Sequence, residues 1–421
     1  MSRRIVITCL GSYGDVYPYI GLARALRARG HRPVVATSAS YRPAVEQEGL
    51  AFEPLGPDVD LRDEAALKRV MDPRTGGAVV VKEFVLPALE QTYEETSRLA
   101  AGADLLVSHP LTFCTPVVGA ERRMPWVGTI LAPLSLFSDG DFPVLPALPG
   151  AAGLLRRWPW LRRRMMALVR RETSKWTRPL ADLRARHGLP PGGNPLIEGQ
   201  YSPHLNLGLF SRVLAQPQPD WPARMRTTGF VFYNGPAALP PDLDAFLSAG
   251  APPVVFTLGS SAVGAAGRFY HESAEAVARM GVRAVLLTGG FAANIPARVP
   301  DGVLLVDKAP HQLLFPRARA VVHQGGAGTT AQALRGACPM LVVPHSHDQP
   351  DNAFRVTRLG VARTLFPQRY TAGRVVAELR QLLDDPAYRD RAAATAAVVR
   401  EEGGADAAAE AIGALGEPAG D

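Results

Sequence analysis

The chain has 421 residues, 47% hydrophobic and 20% charged, too long for one core and ordinary for a globular protein of two domains. Its formal net charge of +7 is carried mostly by dispersed arginine, which suits anionic small molecules or a lipid surface and speaks against a nucleic-acid partner. Cys9, Cys114 and Cys338 have no metal-ligand spacing and imply no disulfide framework. The first residues hold too short an apolar run for a signal peptide, and no stretch reaches the ~18 apolar residues of a spanning helix, so a cytoplasmic location is expected.

Ile5–Leu10 is a continuous apolar run ending at Gly11, the pattern of a strand buried on both faces. Pro18–Arg29 reads as a helix stopped by Gly30, with Ile20, Leu22, Ala23 and Leu26 on one face. Strands are predicted at Pro33–Thr37, Ala51–Leu55, Asp104–Ser108 and Trp126–Leu131, with helices over Ala78–Ala101 and Cys114–Arg122. Ala132–Gly153 has no period and many apolar side chains, so it reads as a long functional loop. A basic helical stretch follows over Arg156–Arg186, then strands at Leu205–Phe210 and Thr228–Phe232.

These elements make residues 1–232 one α/β half, and 233–241, rich in proline, the linker. Over 242–400 the alternation restarts. Strands are predicted at Val254–Leu258, Val282–Leu287, Val303–Val306, Arg319–Val322 and Met340–Val343, a helix runs to Met280, and others cover Gln349–Leu359 and Thr371–Leu383. Residues 401–421 carry an alanine-rich helix, Ala405–Leu415, and a tail free to pack back on the first half. Two doubly wound parallel sheets put a cleft between their carboxyl ends, where ligands bind.

Three motifs are expected at that cleft. In His323–Leu334, a glycine-rich turn between strand and helix offers backbone N–H groups, the helix dipole and two threonine hydroxyls to a phosphate. Gly326-Ala327-Gly328-Thr329-Thr330-Ala331 also fits a dinucleotide fingerprint, so a redox enzyme stands as a rival. In Gly11–Pro18, Asp15 either caps the following helix or serves as a general base. Asp348-Gln349, with Asp351 and Asn352, can hold several sugar hydroxyls or simply open a helix.

Asp58-x-Asp60 and Asp242-x-Asp244 are read as surface pairs, and His345-x-His347 lacks further ligands, so no metal site is expected. Arg156–Arg171 mixes arginine with tryptophan, methionine and leucine; an ordinary packed helix with a basic face is the favoured reading over peripheral contact with anionic lipid.

His323–Pro344 followed by Asp348–Ala353 resembles the nucleotide-sugar signature of family 1 glycosyltransferases, and Gly11–Pro18 with Gly30-His31 resembles the N-terminal motif of their bacterial and sterol-modifying members. In look the chain is similar to rhamnolipid-type rhamnosyltransferases, through Ala44–Phe52, and to sterol and antibiotic glycosyltransferases. The resemblance implies a GT-B fold of two Rossmann-like halves, with an acceptor-binding first half and a donor-binding second half. It implies inverting, metal-independent transfer of a hexose or deoxyhexose from a UDP- or dTDP-sugar, with no cofactor beyond that co-substrate.

Carried over by residue, His323, Gly325, Gly326, Ala327, Gly328 and Thr329 would hold the diphosphate, with Ser260 and Ser261 at phosphate or reaction centre. Gln332 stands where many members bind ribose with glutamate, Asp348 and Gln349 would grip the sugar, and Lys308, Ala309 and His311 fall in the nucleobase loop. Asp15 would be the base, tuned by His109; Tyr13, Phe113, Phe137 and Phe142 would line a pocket for a hydrophobic small-molecule or lipid acceptor. A nucleotide-sugar epimerase of the same architecture is the second reading, and an NAD(P)-dependent oxidoreductase the third.

Overall fold

In a computed structural model, which describes residues 2–58, 63–233, 235 and 238–415, the apolar runs form two sheets. The first has strands β1 (Arg4–Thr8), β2 (Arg32–Thr37), β3 (Ala51–Pro54), β4 (Leu105–Ser108), β5 (Trp126–Ile130), β6 (Leu205–Gly208) and β7 (Met225–Thr227), in the order β3-β2-β1-β4-β5-β6-β7. The second has β8 (Val254–Thr257), β9 (Ala284–Leu287), β10 (Val303–Val306), β11 (Ala320–His323), β12 (Met340–Val342) and β13 (Ala362–Thr364), in the order β10-β9-β8-β11-β12-β13. All pairings are parallel. Ile5, Val6 and Ile7 are fully buried, because helices cover both faces and an apolar residue finds a core on either side.

Strand order reverses beside the first strand of each sheet. β1 pairs with β4 in register Thr8↔Ser108, and β8 with β11 in register Thr257↔His323. Loops leaving two adjacent strand ends in opposite directions open a crevice there. Two distant pieces of sequence therefore meet at each crevice.

The helices that matter for the site are α1 (Tyr13–Ala28), α2 (Glu64–Val70), α3 (Cys114–Glu121), α4 (Ala152–Arg157), α5 (Pro159–Trp176), α6 (Arg178–Arg186), α7 (Ala327–Arg335), α8 (Gln349–Arg358) and α9 (Gly404–Gly413). The stretch predicted as one helix over Arg156–Arg186 is three, because Pro159 and Pro179 each open a new one. Pro87 similarly interrupts the predicted Ala78–Ala101 helix, which includes a wide π-helical segment, Val80–Val85. Thr228–Phe232 is not a strand; β7 precedes it, and Phe230 instead packs between the halves. Of the expected linker, Asn234, Pro236 and Ala237 lie outside the described residues, and Pro241 already begins a helix, Pro241–Ser248.

The two halves are stitched together. Leu136, Phe210, Leu214 and Phe230 share one apolar cluster with Leu243, Val255 and Val321 of the second half. In return α9 lies on α1, with Ala408, Ala409, Ala411 and Ile412 in the same cluster as Ile20 and Leu26. Glu402 secures this crossing by accepting from Ser211 Oγ and the Arg212 N–H, each at 2.9 Å. The tail from residue 416 onward lies outside the described residues.

Candidate active site

Asp15 stands at the carboxyl end of β1, in the first turn of α1. Its Oδ2 accepts from both the N–H and the hydroxyl of Ser12 at 2.8 Å, so it does cap the helix. Gly11 has φ +128°, and a Cβ there would lie 2.5 Å from Oδ2; only glycine leaves room for this carboxylate. Oδ1 is left facing His109 Nε2 at 3.8 Å, an ion-pair spacing too long for a hydrogen bond. His109 Nδ1 accepts from the Leu111 N–H at 3.0 Å, which puts the neutral ring's proton on Nε2, toward Asp15. Burial raises the Asp15 pKa, but the His109 Nε2–H facing Oδ1 and the Ser12 donors on Oδ2 together outweigh it and hold it below the ordinary value. With 38% of its side chain open, Asp15 is an ionised, accessible base with one committed and one uncommitted oxygen.

Across the crevice, α7 begins at Ala327, so the first N–H groups of the helix lack intrahelical partners and point into the cleft. A Cβ on Gly328 would sit 3.8 Å from Gly14 Cα. The N-termini of α1 and α7 thus lie close together, with glycine on each side, and both dipoles favour an anion at the crevice they flank. His323 is fully buried; its Nδ1 accepts from the Gly325 N–H at 3.1 Å, while Nε2 has no partner. Burial, with a smaller contribution from His311, pushes its pKa down to about 3, so it is a neutral donor through Nε2. Buried Thr330 Oγ1, Gln324 Oε1 and Asn352 Oδ1 also lack partners. Polar atoms buried without partners are rare in proteins, and their concentration here marks a polar ligand site.

Asp348 precedes α8. Asn352 Nδ2 bonds both Asp348 Oδ2 at 2.7 Å and Gly325 O at 2.9 Å, tying the acid to the glycine turn. Burial and then the charge of Asp15 push the Asp348 carboxyl up to about 7; the two acids share one field. Gln349 Oε1 is already committed to the N–H groups of His345 and Ser346, so only its amide nitrogen is left for a ligand. Because the carboxyl's ordinary value is 3.8, ionising it in the folded protein is unfavourable and stability falls as pH rises through that window. Asp348→Asn is therefore expected to raise the thermal midpoint most at pH 8 and by less at pH 5, where only the lower part of that window has been crossed, as scanning calorimetry at the two pH values will read.

The other residues expected to hold a donor are spread around this point. Ser260 and Ser261 lie half-buried in the turn after β8, near α1, and Thr329 is buried in the first turn of α7. Gln332 is half-buried one turn further on. Ala309 packs on the core cluster, and His311 stacks on Phe315 at 4.4 Å. Lys308 reaches across the cleft, 5.6 Å from the ring centroid of Tyr13. Asp58 caps Ala39 N–H, and Asp244 pairs with Arg317; Asp60 lies outside the described residues.

Two family models match the chain, a glycosyltransferase family 28 N-terminal domain over residues 5–111 and an erythromycin biosynthesis protein CIII-like C-terminal domain over 276–413. An O-mycaminosyltylonolide 6-deoxyallosyltransferase of Streptomyces fradiae is 34% identical over 96% of this chain and 95% of its own. The chain belongs to the family 1 GT-B glycosyltransferases. A sterol 3-beta-glucosyltransferase of Arabidopsis thaliana is 28% identical to this glycosyltransferase over 97% of the chain and 65% of its own length. The crystal structure of glycosyltransferase VinC in complex with dTDP has the same fold, with a TM-score of 0.69 at 23% identity and 98% of each chain covered.

The glycosyltransferase also has a cavity of about 430 Å³ that begins at Ser108 and His109 and runs between α3 and residues 192–204. Phe113, Met124, Trp126, Leu180 and Tyr201 make its walls largely apolar. Of the four side chains expected to line an acceptor pocket, only Phe113 lines this cavity. Phe142 is fully buried, with the Arg162 guanidinium 5.6 Å from its ring and its carbonyl accepting from Arg156 Nε. Phe137 closes a turn in the left-handed region (φ +46°), away from the cavity. Tyr13 packs edge-on against Tyr17 and Tyr41 below the Lys308 ammonium. The missed walls come from a glycine- and proline-rich segment, 190–203, which has no periodicity to flag it.

One further set of contacts escaped the sequence, and it takes Asp351 out of the group free to hold sugar hydroxyls. Asp351, fully buried, accepts from the Val144 N–H at 2.9 Å and from Arg355 Nε at 2.7 Å. Arg355 also binds the Asp141 carboxylate and Leu214 O, and Arg358 binds Asp141 at 3.1 Å. On the other flank, Ser346 Oγ donates to Asp72 O at 3.0 Å, and Met71, just after α2, is buried in the core of the second half. The segment carrying Asp348 and Gln349 is thus held on both sides by loops of the first half.

Proposed function

We propose that this glycosyltransferase moves a hexose or deoxyhexose from a UDP- or dTDP-sugar to a hydroxyl of a hydrophobic small-molecule or lipid acceptor, with inversion and without a metal. The observation that carries the reading is the uncommitted Oδ1 of Asp15. It faces His109, which lines one end of a largely apolar cavity, and lies across the crevice from the unpartnered N–H groups of α7.

In this reading the acceptor lies in the cavity with its hydroxyl on Asp15 Oδ1. The acceptor oxygen forms its bond to the anomeric carbon as its proton passes to Asp15, and the bond from that carbon to the diphosphate breaks, its electron pair leaving with the nucleoside diphosphate. Attack from the face opposite the leaving group inverts the centre. The Nε2–H of His109 stabilises the carboxylate before transfer. The α7 N–H groups, Thr329, Thr330 and the neutral His323 Nε2–H meet the charge that develops on the diphosphate, which is the role a metal would otherwise take. Asp348, positioned by Asn352, and the Gln349 amide nitrogen hold sugar hydroxyls, and Gln332, Lys308 and His311 surround the nucleoside. The dTDP bound by VinC supports a thymidine or uridine diphosphate donor, and the macrolide and sterol relatives support an apolar acceptor.

Mass spectrometry of acceptor mixtures incubated with UDP-glucose or dTDP-rhamnose tests the reading. A hexosylated or deoxyhexosylated hydrophobic alcohol, formed at a rate unchanged by EDTA, is the expected result. An epimerised free sugar with no transfer product would favour the epimerase, and a midpoint raised by NAD or NADP but not by UDP or dTDP the oxidoreductase.

A further inference from the structure

The arginine-rich segment plays no part in this chemistry, and its placement bears on where the enzyme works. Residues 148–171 contain seven arginines and no acidic residue, enough to equal the net charge of the whole chain. The same segment supplies five of the eight exposed large apolar side chains among the described residues: Leu148, Leu154, Trp158, Trp160 and Leu168, from 43% exposed at Trp158 to 58% at Leu168. Trp158 and Trp160 stack on each other at 6.2 Å across the break between α4 and α5, and so form one indole surface.

α5 turns Arg162 and Thr173 inward. Trp160, Arg164, Leu168 and Arg171 follow at spacings of four, four and three along the opposite, exposed face. Arg162 and Arg170 are neutralised by Asp139 and Glu198. Arg157, Arg163, Arg164 and Arg171 are exposed and form no ion pair with the described residues. Indole rings and leucines ringed by unpaired guanidinium groups match a bilayer interface, where the apolar parts enter the headgroup boundary and the cations meet anionic lipid. No helix of the described residues is long and apolar enough to cross a membrane, so the contact is one of lying on the surface.

We propose that residues 148–171 are a docking surface for an anionic lipid bilayer. The site gains from this placement. Arg170 on α5 binds Glu198 at 2.6 Å, and Asn194 Nδ2 binds Thr173 Oγ1 at 2.7 Å. Glu198 is on the wall of the apolar cavity, so the cavity rim is fastened to the docking helix and an acceptor dissolved in the bilayer enters from the surface on which the enzyme rests.

Co-sedimentation of the full chain with phosphatidylcholine vesicles, with and without phosphatidylglycerol, tests the proposal and needs no catalytic activity, so its outcome is separate from that of the transfer assay. Binding only to the phosphatidylglycerol vesicles, released by high salt, is expected. A variant with Trp158→Ser, Trp160→Ser, Arg163→Gln and Arg164→Gln should lose at least about tenfold in partitioning, since each basic residue near an anionic surface adds several-fold to binding. Its thermal midpoint should stay at the wild-type value, because these side chains are exposed. No binding at low salt overturns the proposal, as does a variant that binds like wild type. Salt-insensitive self-association that the variant abolishes, without vesicle binding, also overturns it and assigns the surface to a second copy of the chain.

Discussion

Asp15→Asn is expected to lower kcat by roughly 10²- to 10⁴-fold, the range over which a positioned general base contributes, with little change in donor affinity. The carboxamide still fits over Gly11 and still accepts from Ser12 through its oxygen, so the fold of the β1–α1 turn is kept. What is lost is the basic oxygen that faces His109. Nucleotide titration by calorimetry should therefore give nearly wild-type UDP or dTDP binding in a variant almost without transfer activity. Because Asp15 is held below its ordinary pKa, it is ionised throughout neutral pH, and its own titration should not shape the pH–rate profile there. His109→Ala removes the proton that faces Oδ1 and should raise the Asp15 pKa, adding an acid limb at higher pH than in wild type. An Asp15→Asn enzyme with most of its kcat would remove the base from the mechanism.

The second large effect is expected at Arg355→Met. It strands a fully buried carboxylate, Asp351, and leaves a mostly buried one, Asp141, with Arg358 as its remaining ion-pair partner. Breaking a buried ion pair from one side typically costs about 3–5 kcal/mol, so a clear fall in thermal midpoint should follow. Asp141→Asn should be milder, since Asp351 then keeps its partner. The double variant should be less unstable than the sum of the two, a coupling that a double-mutant cycle measures. Because Arg355 sits on the helix that begins beside Asp348, donor KM should rise in Asp141→Asn more than acceptor KM does, although Asp141 belongs to the half with the acceptor cavity.

These two sets of residues were unequally legible in the sequence. The strands could be read because both faces of each sheet are covered, which turns a strand into an unbroken run such as Ile5-Val6-Ile7. β13, at a sheet edge, has only Ala362-Arg363-Thr364 and offers no such run. Thr228–Phe232 does offer an apolar run but spends it on packing between the halves, a use that mimics a strand. Asp15 and the glycine turn at His323 announce themselves through local geometry, in residues that only a tight turn or an anion requires. The meeting of Asp15 with His109 follows once β1 and β4 are known to be neighbours. Nothing local links Asp141 to Arg355, a contact that exists only after both halves have closed on each other, and nothing local links residues 192–204 to α3, which meet only once the first half has folded.

The packing of α9 on α1 carries a consequence for how the protein is made. α1 leaves the ribosome before every other described helix, and α9 after all of them. Until residues 404–413 emerge, part of the apolar face of α1 has no cover, and the turn that holds Asp15 rests on an unfinished support. Domains usually fold in the order of synthesis; here the first half completes its core only after the whole second half has been made. A chain that stops short of α9 is then a substrate for chaperones and proteases rather than a partly working enzyme.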